Sequence, residues 1–276
     1  MKLPLLCFAL AAGVSVSAAL QTDIEYGAAG GESLKLDASI PDGPGPFPAV
    51  ILVHGGGWTA GDKSGGPQKG YMAPMHGPLE KAGYAWFSIN YRLAPKHPYP
   101  ACVEDVETAI RWVKAHAAEY RIDPARIALA GESAGGHLVA LVATRMTAET
   151  RLAAIVDFYG RHDMVGMTKL GDKLPGNMSR LFGAEVLDAP TEARLREASP
   201  LDHVKPGLPP FLLVHGDKDA SVPYQHSVAL EARLKVSGVP VDFITIKDGV
   251  HGMINWGTVA PGYGDQVVAW LQKTLK

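Results

Sequence analysis

The 276 residues of this chain fit one large α/β domain better than two small ones. Apolar residues make up 47% of the chain and charged residues 20%, a balance that predicts a packed core and excludes intrinsic disorder. The net charge is −2 and no basic patch stands out, so the composition argues against a nucleic-acid partner.

The first eighteen residues have the pattern of a secretory signal. Lys2 precedes the short apolar stretch Leu3–Val16, and small residues up to Ala18 offer a cleavage site. The stretch is too short to predict a membrane span, although an uncleaved anchor is the alternative interpretation. We therefore expect residues 1–18 to be a signal peptide and residues 19–276 to form a single domain. The expected location is secreted or periplasmic, without stable membrane association.

Short apolar runs then alternate with helical patterns, which predicts a mostly parallel sheet with helices on both faces. Leu34–Ile40 is predicted to be an edge strand, and the continuous apolar run Ala49–Val53 is predicted to be a strand buried on both faces. The other predicted strands are Tyr84–Ile89, Arg126–Ala130, Ala153–Phe158, Phe211–Val214 and Val241–Ile246. The predicted helices are Pro100–Tyr120, Ser133–Met146, Tyr224–Val236 and Asp265–Leu275.

One connection is much longer than the rest. Gly160–Leu208 places roughly fifty residues between two predicted strands, where connections of about 2–6 residues are usual. Short helices are predicted near Met178–Phe182 and Thr191–Arg196. We expect residues 161–208 to form a lid-like insertion over the functional site and not a second domain.

A G-x-S-x-G pattern with Ser133 at its centre lies between a predicted strand and a predicted helix. The glycines are needed because the serine occupies a tight turn in which a flanking Cβ would collide with neighbouring backbone. The turn places the hydroxyl at a helix N-terminus, where the local potential favours developing negative charge. An N-cap serine in a Gly-rich turn is the alternative, but the strand and helix on either side favour a nucleophile. We assign Glu132 no chemical step.

His54 is followed by three glycines and Trp58, directly after the buried strand. Acyl transfer builds an oxyanion that main-chain N–H groups must face, and a glycine run lets the backbone turn its amides inward. The pattern matches the HGGG oxyanion motif of esterases and lipases. We predict that Gly56, Gly57 and Ala134 donate these N–H groups, and that His54 organises the loop. A flexible surface turn is the alternative.

The triad order in this kind of fold is serine, then acid, then histidine. His251 is predicted to be the general base for Ser133, with a solvent-facing loop histidine as the alternative. Asp219 is preferred as the acid that orients it, because Asp217 could simply fix its own turn. Asp248 is a third and weaker candidate. The two loops that carry these residues, His215–Pro223 and Asp248–Gly252, both follow predicted strands at their C-terminal ends. Open α/β sheets carry their sites at that edge.

Together these motifs resemble the α/β-hydrolase esterases related to hormone-sensitive lipase, and among them the branch similar to feruloyl and acetylxylan esterases. The likeness runs from about Ala49 to the C-terminus. It rests on His54–Trp58, Asn90–Pro95, Tyr99 and Pro100 with Asp105, Gly131–Gly136, Ser199–Leu201, His215–Pro223, and His251 with Gly252. The resemblance implies the α/β-hydrolase fold and places the triad acid at the second acidic position of the HGxxDxxVP element, which is Asp219.

The chain also departs from the hormone-sensitive-lipase pattern. About thirty residues separate the expected cleavage site from the Ala49 strand, too few for the helical N-terminal cap of those enzymes. Glu132 stands where they often carry aspartate. Both departures favour the carbohydrate-esterase-like branch and an open cleft.

The expected function is therefore hydrolysis of a small ester or esterified oligosaccharide through an acyl-serine, without metal or cofactor. Acetyl or feruloyl groups on plant cell-wall carbohydrate are the expected targets, and Trp58, Tyr91 and Trp256 are predicted to bind substrate. Ordinary core packing is the alternative for these aromatic residues. The rival functions are a general short-chain carboxylesterase, a serine peptidase or amidase, and a binding protein that kept the hydrolase fold without catalysis.

Overall fold

The computed structural model describes residues 18–64, 72–166 and 173–276. A single eight-stranded sheet forms its centre. The strands are β1 (Ala18–Ala29), β2 (Glu32–Pro41), β3 (Phe47–Val53), β4 (Ala85–Ile89), β5 (Ile122–Glu132), β6 (Ala154–Phe158), β7 (Phe211–Gly216) and β8 (Val241–Ile246). Their order is β1-β2-β4-β3-β5-β6-β7-β8. Both pairs made by β2 are antiparallel and the remaining pairs are parallel.

Helices cover both faces of the sheet. They are α1 (Ala73–Lys81), α2 (Ala101–Ala115), α3 (Ala134–Thr144), α4 (Gly176–Phe182), α5 (Ala189–Glu197), α6 (Gln225–Val236) and α7 (Tyr263–Thr274). Apolar side chains of α2, α3 and α6 pack on one face, and those of α1 and α7 pack on the other. Every residue of α3 is buried. The predicted mostly parallel sheet with two helical layers is confirmed.

The prediction that Leu34–Ile40 forms an edge strand is wrong. These residues lie in β2, which is hydrogen-bonded to β1 on one side and to β4 on the other. The true edge strand, β1, was not predicted from the sequence. Its register against β2 shifts between Gln21 and Ile24 and again between Glu25 and Gly27, so its side chains do not keep a strict period of two.

Helix α1 was also missed, because its sequence opposes helix formation. Gly77 and Pro78 both lie inside it, and each disfavours a helix interior. Met75 and Leu79 are nevertheless buried in the core layer that α7 shares, so packing holds a segment that propensity alone would not. Two predicted bounds also differ: α2 ends at Ala115, where a helix to Tyr120 was predicted, and β5 begins at Ile122.

The long connection between β6 and β7 contains α4, α5 and a 3-10 turn at Pro200–His203. The two short helices predicted in this insertion are confirmed. Helix α5 begins at a side-chain cap, since the Asp188 carboxylate accepts a hydrogen bond from the N–H of Thr191 at 2.9 Å. Residues 167–172 of the insertion lie outside the described residues.

Most of the predicted signal peptide, residues 1–17, also lies outside the described residues. None of the helices in the three described ranges combines the length and the apolar character that crossing a membrane requires.

Candidate active site

Ser133 stands on the sharp bend that joins β5 to α3. Its backbone angles are φ 53° and ψ −113°, an unusual conformation for a residue with a Cβ atom. The N–H of Ser133 donates to the carbonyl of Phe158 at the end of β6, at 2.9 Å. The bend therefore lifts the side chain out of the sheet at the C-terminal edge of the parallel strands, where such sites are built.

Gly135 lets this bend sit directly against the end of β3. A Cβ atom on Gly135 would overlap the carbonyl oxygens of Val53 and His54. Any larger residue would therefore push α3 away from the loop that follows β3. The missing side chain is what brings the serine and the predicted oxyanion loop together.

The structure brings the three predicted triad residues into one chain of hydrogen bonds. His251 Nε2 lies 3.0 Å from Ser133 Oγ, and His251 Nδ1 lies 2.7 Å from Asp219 Oδ2. The Asp219 side chain is fully buried, whereas the imidazole is 25% exposed. With the Nδ1 proton on the carboxylate side, Nε2 is left as the acceptor for the serine hydroxyl.

The surroundings of Asp219 keep it ionised. Burial by itself would raise the pKa of this carboxyl, but hydrogen bonds from His215, His251 and the N–H of Val222 outweigh burial and hold the pKa well below its usual range. Its Oδ1 atom accepts from the N–H groups of Ser221 and Val222 at 2.8 and 2.9 Å. The carboxylate can thus stabilise a positive charge on His251.

The other two acids that the sequence offered do not take this position. Asp217 Oδ1 accepts the main-chain N–H of Asp248 at 2.7 Å, which ties the acid loop to the histidine loop. The Asp248 backbone has a positive φ of 58° at that contact. Asp217 thus joins two loops, whereas the sequence suggested a bond within its own turn.

The loop after β3 forms a tight turn around Gly56. The carbonyl of Gly56 accepts hydrogen bonds from the N–H groups of Thr59 and Ala60 at 3.2 and 3.1 Å. The backbone φ of Gly56 is +102°. Across the described residues, the N–H groups of Gly56 and Gly57 donate to no other main-chain group. Ala134 is the first residue of α3, so its N–H is among those that a helix leaves without an internal acceptor.

His54 is buried beneath this turn and is not a base. Its Nδ1 lies 2.7 Å from the carbonyl of Gly55, and its ring stacks on Tyr91 with centroids 4.4 Å apart. Burial lowers the pKa of His54 to about 4, so the ring is neutral near pH 7. These contacts are consistent with the predicted role of His54 in organising the loop.

Two residues that sequence reasoning left without a role connect the loops of the site. Glu132 accepts the N–H of Gly55. Burial, and after it the negative charge of Glu132, raises the pKa of Tyr159. The Tyr159 hydroxyl accepts the N–H of Met253 at 2.9 Å, and its ring lies edge-on to His251 at 4.9 Å. Tyr159 follows the end of β6 and has a positive φ of 44°. Its position at a strand C-terminus was the one available signal in the sequence.

The three aromatic residues predicted to bind substrate are buried, and that prediction is corrected. Trp58 is 2% exposed and donates from Nε1 to His137 Nδ1 at 3.1 Å. Trp256 is 0% exposed and donates to the carbonyl of Val250 at 2.7 Å. The Tyr91 hydroxyl donates to main-chain carbonyls of the oxyanion loop at 3.1 and 3.2 Å. The polar atoms of Tyr91 and Trp256 bind loop backbone, and that of Trp58 binds a buried histidine, so all three support the loops of the site.

The insertion borders the oxyanion loop. The Asn177 side chain at the start of α4 lies next to Gly57, where a Cβ atom would come within 3.4 Å of its amide nitrogen. His137 Nε2 lies 2.7 Å from the carbonyl of Ala198, which follows α5. Within the part of the chain that the structure describes, no group of three or more His, Cys, Asp or Glu side chains is arranged to hold a metal ion.

Known proteins share both this sequence pattern and this architecture. The family model of BD-FAE matches residues 36–234. The probable carboxylic ester hydrolase LipM of Mycobacterium tuberculosis is 36% identical over 221 residues, which are 75% of this chain and 49% of LipM. Esterase LipQ of the same organism is 33% identical over 234 residues, 80% of this chain and 54% of LipQ. The chain thus spans about half the length of both relatives.

Two solved structures show the same fold. A truncated form of a carbohydrate esterase from gut microbiota superposes with a TM-score of 0.79 at 27% identity, covering 95% of this chain and 98% of that one. A bifunctional GH43-CE protein of Bacteroides eggerthii also gives a TM-score of 0.79, at 26% identity, covering 93% of this chain and 38% of that protein. The chain has the α/β-hydrolase fold and belongs to the BD-FAE family.

Proposed function

We propose that the protein is a serine carboxylic ester hydrolase that works through an acyl-Ser133 intermediate. One observation carries the proposal: a single imidazole, His251, hydrogen-bonds to the hydroxyl of Ser133 and to the buried carboxylate of Asp219. His251 takes the serine proton as the oxygen attacks the ester carbonyl, and Asp219 stabilises the imidazolium that forms.

The main-chain N–H groups of Gly56, Gly57 and Ala134 are proposed to stabilise the oxyanion. Gly56 and Gly57 lie in the turn after β3, and the packing of Gly135 on Val53 holds that turn against the nucleophile bend. Donors fixed in place before reaction stabilise developing charge without reorganising. Loss of one such donor costs about 3–4 kcal/mol of barrier in a comparable site.

The same groups complete the acylation of Ser133 and then release the acid. The protonated His251 gives its proton to the leaving alkoxide, which departs as the alcohol and leaves the acyl group on Ser133. Water then loses a proton to His251 as it attacks the acyl carbonyl, and the serine oxygen recovers that proton when the acid is released. No metal or cofactor enters any of these steps.

The proposed substrates are acetyl or feruloyl esters of plant cell-wall carbohydrate. Support comes from two structural relatives at 27% and 26% identity, which are described as a carbohydrate esterase and as a GH43-CE protein. Residues 1–18, with the pattern of an export signal, are consistent with action on a polymer outside the cell. Deleting these residues is expected to retain the protein in the cytoplasm, which fractionation of an expressing bacterium would reveal.

The decisive experiment is a substrate panel for the wild type and Ser133→Ala. It should include acetylated and feruloylated xylo-oligosaccharides, p-nitrophenyl acetate, and an anilide with the same acyl group. Release of acetate or ferulate from the oligosaccharides, abolished in the variant, is the expected result. Activity confined to simple aryl esters would favour the general carboxylesterase suggested by the LipM and LipQ names. Faster cleavage of the anilide would point to an amidase.

A further inference from the structure

Arg161 is a buried cation that has no carboxylate partner among the residues that the structure describes. The residue is 8% exposed and lies three positions after the end of β6. Its Nη2 donates to the carbonyl of Ser221 at 3.3 Å, its Nη1 lies 3.5 Å from the sulfur of Met178, and its guanidinium lies 5.9 Å from the centre of the Trp58 ring. Among the described residues, Nε has no hydrogen-bond partner and no carboxylate lies within 4.0 Å of the guanidinium.

Another poorly exposed arginine of the same chain shows what is missing. The Arg92 side chain is 10% exposed, and its Nε and Nη2 atoms bind the Asp105 carboxylate side-on at 2.7–2.9 Å. On the corresponding Nε and Nη2 edge of Arg161, Nη2 makes one long hydrogen bond to a carbonyl, and Nε has no hydrogen-bond partner among the described residues. Burying a charge is unfavourable unless it is paired, so this edge is suited to an anion that the described residues do not supply.

The surroundings of Arg161 are the loops of the active site. Ser221 lies two residues after Asp219 and donates its N–H to that carboxylate. Trp58 directly follows Gly57, and Met178 lies in α4 next to Asn177, which contacts the same glycine. The guanidinium therefore lies between the acid loop and the oxyanion loop, under the insertion.

Asp219 is the acid whose charge acts on Arg161, but its carboxylate already has hydrogen-bond partners. Burial lowers the pKa of Arg161, and the negative charge of Asp219 opposes this by favouring the protonated guanidinium. Both oxygens of Asp219 are bound elsewhere: Oδ1 by two main-chain N–H groups, and Oδ2 by His251 with His215 at 3.3 Å. The triad acid cannot serve as the side-on partner without giving up the histidine.

We propose that Arg161 is a specificity residue that binds a carboxylate on the substrate. The inference rests on the proposed ester hydrolysis and narrows its substrate class to esters with a carboxylate near the scissile bond. That carboxylate can belong to the alcohol part, as in an acetylated uronic-acid sugar, or to the acyl part, as in a hemiester of a dicarboxylic acid. The planar edge of an arginine matches a carboxylate with two parallel hydrogen bonds, whereas a neutral hydroxyl leaves the charge unpaired.

The test compares charged and neutral esters of matched size. The acyl arm uses p-nitrophenyl hemisuccinate against p-nitrophenyl butyrate, and the alcohol arm uses acetylated galacturonate oligomers against acetylated xylo-oligosaccharides. Each is measured with the wild type, Arg161→Gln, Arg161→Lys and the matched control Arg180→Gln. Arg180 is exposed on α4, so the control removes the same charge from the same insertion.

Arg161→Gln is expected to lower kcat/KM for the charged ester of one arm by about tenfold to a hundredfold relative to its neutral partner. Arg161→Lys should keep part of the preference, and Arg180→Gln all of it. The arm that responds identifies where the carboxylate lies. Equal losses on charged and neutral esters would show that Arg161 only supports the acid loop, and unchanged ratios in both arms would also overturn the inference.

The proposed function is tested separately by the neutral esters. If the wild type hydrolyses them but the ratios do not change, ester hydrolysis stands and the role of Arg161 falls. If the wild type hydrolyses no ester, calorimetric titration of succinate and galacturonate into Ser133→Ala still tests the anion site. The anion site would be supported if one of these acids binds to Ser133→Ala and the added change Arg161→Gln abolishes that binding. It would be refuted if neither acid binds.

Discussion

The Oε1 atom of Glu132 accepts a hydrogen bond from the main-chain N–H of Gly55 at 2.5 Å. The two residues are 77 positions apart, and both are buried. Glu132 precedes the proposed nucleophile and Gly55 precedes the proposed oxyanion donors. One carboxylate therefore fixes the distance between the two halves of the site.

Glu132→Gln is expected to lower kcat about tenfold and to destabilise the fold by about 1–3 kcal/mol, the range found when a buried hydrogen-bonded group is left poorly paired. The amide keeps an acceptor but adds two buried donors that must face Gly55 or Tyr159. Steady-state kinetics and urea unfolding would measure both effects. Glu231→Gln on the surface of α6, whose carboxylate pairs only with Lys235 in the described chain, is the matched control. Equal behaviour of the two variants would remove Glu132 from the site's support.

Ser133→Ala and His251→Ala should each reduce turnover of p-nitrophenyl acetate by about 10³-fold or more. Because the two side chains act as one unit, the double variant should be no slower than the worse single variant. Stopped assays at high enzyme concentration would give the rates, and circular dichroism would confirm folding. Additive losses would mean that the 3.0 Å contact between them is not the one used in the reaction.

Asp219→Asn should reduce kcat by about 10³–10⁴-fold, as the loss of a triad acid does elsewhere, because the amide cannot stabilise the imidazolium. Asp217→Asn is the paired comparison, since within the described part of the chain that carboxylate binds only the N–H of Asp248. Its effect should stay within about tenfold. The reverse ranking, with Asp217→Asn the slower enzyme, would contradict the assignment of the acid.

Acid is expected to weaken the fold through buried His137. Burial lowers the pKa of His137 to about 4, and its Nδ1 must stay unprotonated to accept the Trp58 indole N–H. The ordinary pKa in an unfolded chain is near 6.5. Between these values the unfolded chain binds a proton at His137 that the folded protein does not. The contribution of His137 to the free energy of unfolding is therefore fully present above pH 6.5 and falls as the pH drops toward 4.

The slope from this one histidine is about 1.4 kcal/mol per pH unit. Urea unfolding at several pH values between 4 and 7 would measure it in the wild type and in His137→Gln, which does not titrate. In the variant, the free energy of unfolding should depend on pH less steeply, by about 1.4 kcal/mol per pH unit. An identical slope in both proteins would show that His137 is not held neutral by its burial.

The local parts of the site were predictable because their causes are local. The bend at Ser133 needs small neighbours, and Gly135 supplies one because its Cβ position is filled by the carbonyls of Val53 and His54. The order of strands and loops placed His251 and Asp219 at the same sheet edge. The preference for Asp219 over Asp217 also follows from position in the motif.

The sequence by itself therefore determined seven of the eight strands, the insertion between β6 and β7, and the residues that meet at the strand ends. Only the tertiary structure decided that Trp58, Tyr91 and Trp256 face inward, that β1 and not β2 forms the sheet edge, and that no carboxylate among the described residues pairs with Arg161. The reason is physical: periodicity and turn sterics act within a few residues, whereas burial and the choice of a partner depend on chain segments that meet only after folding.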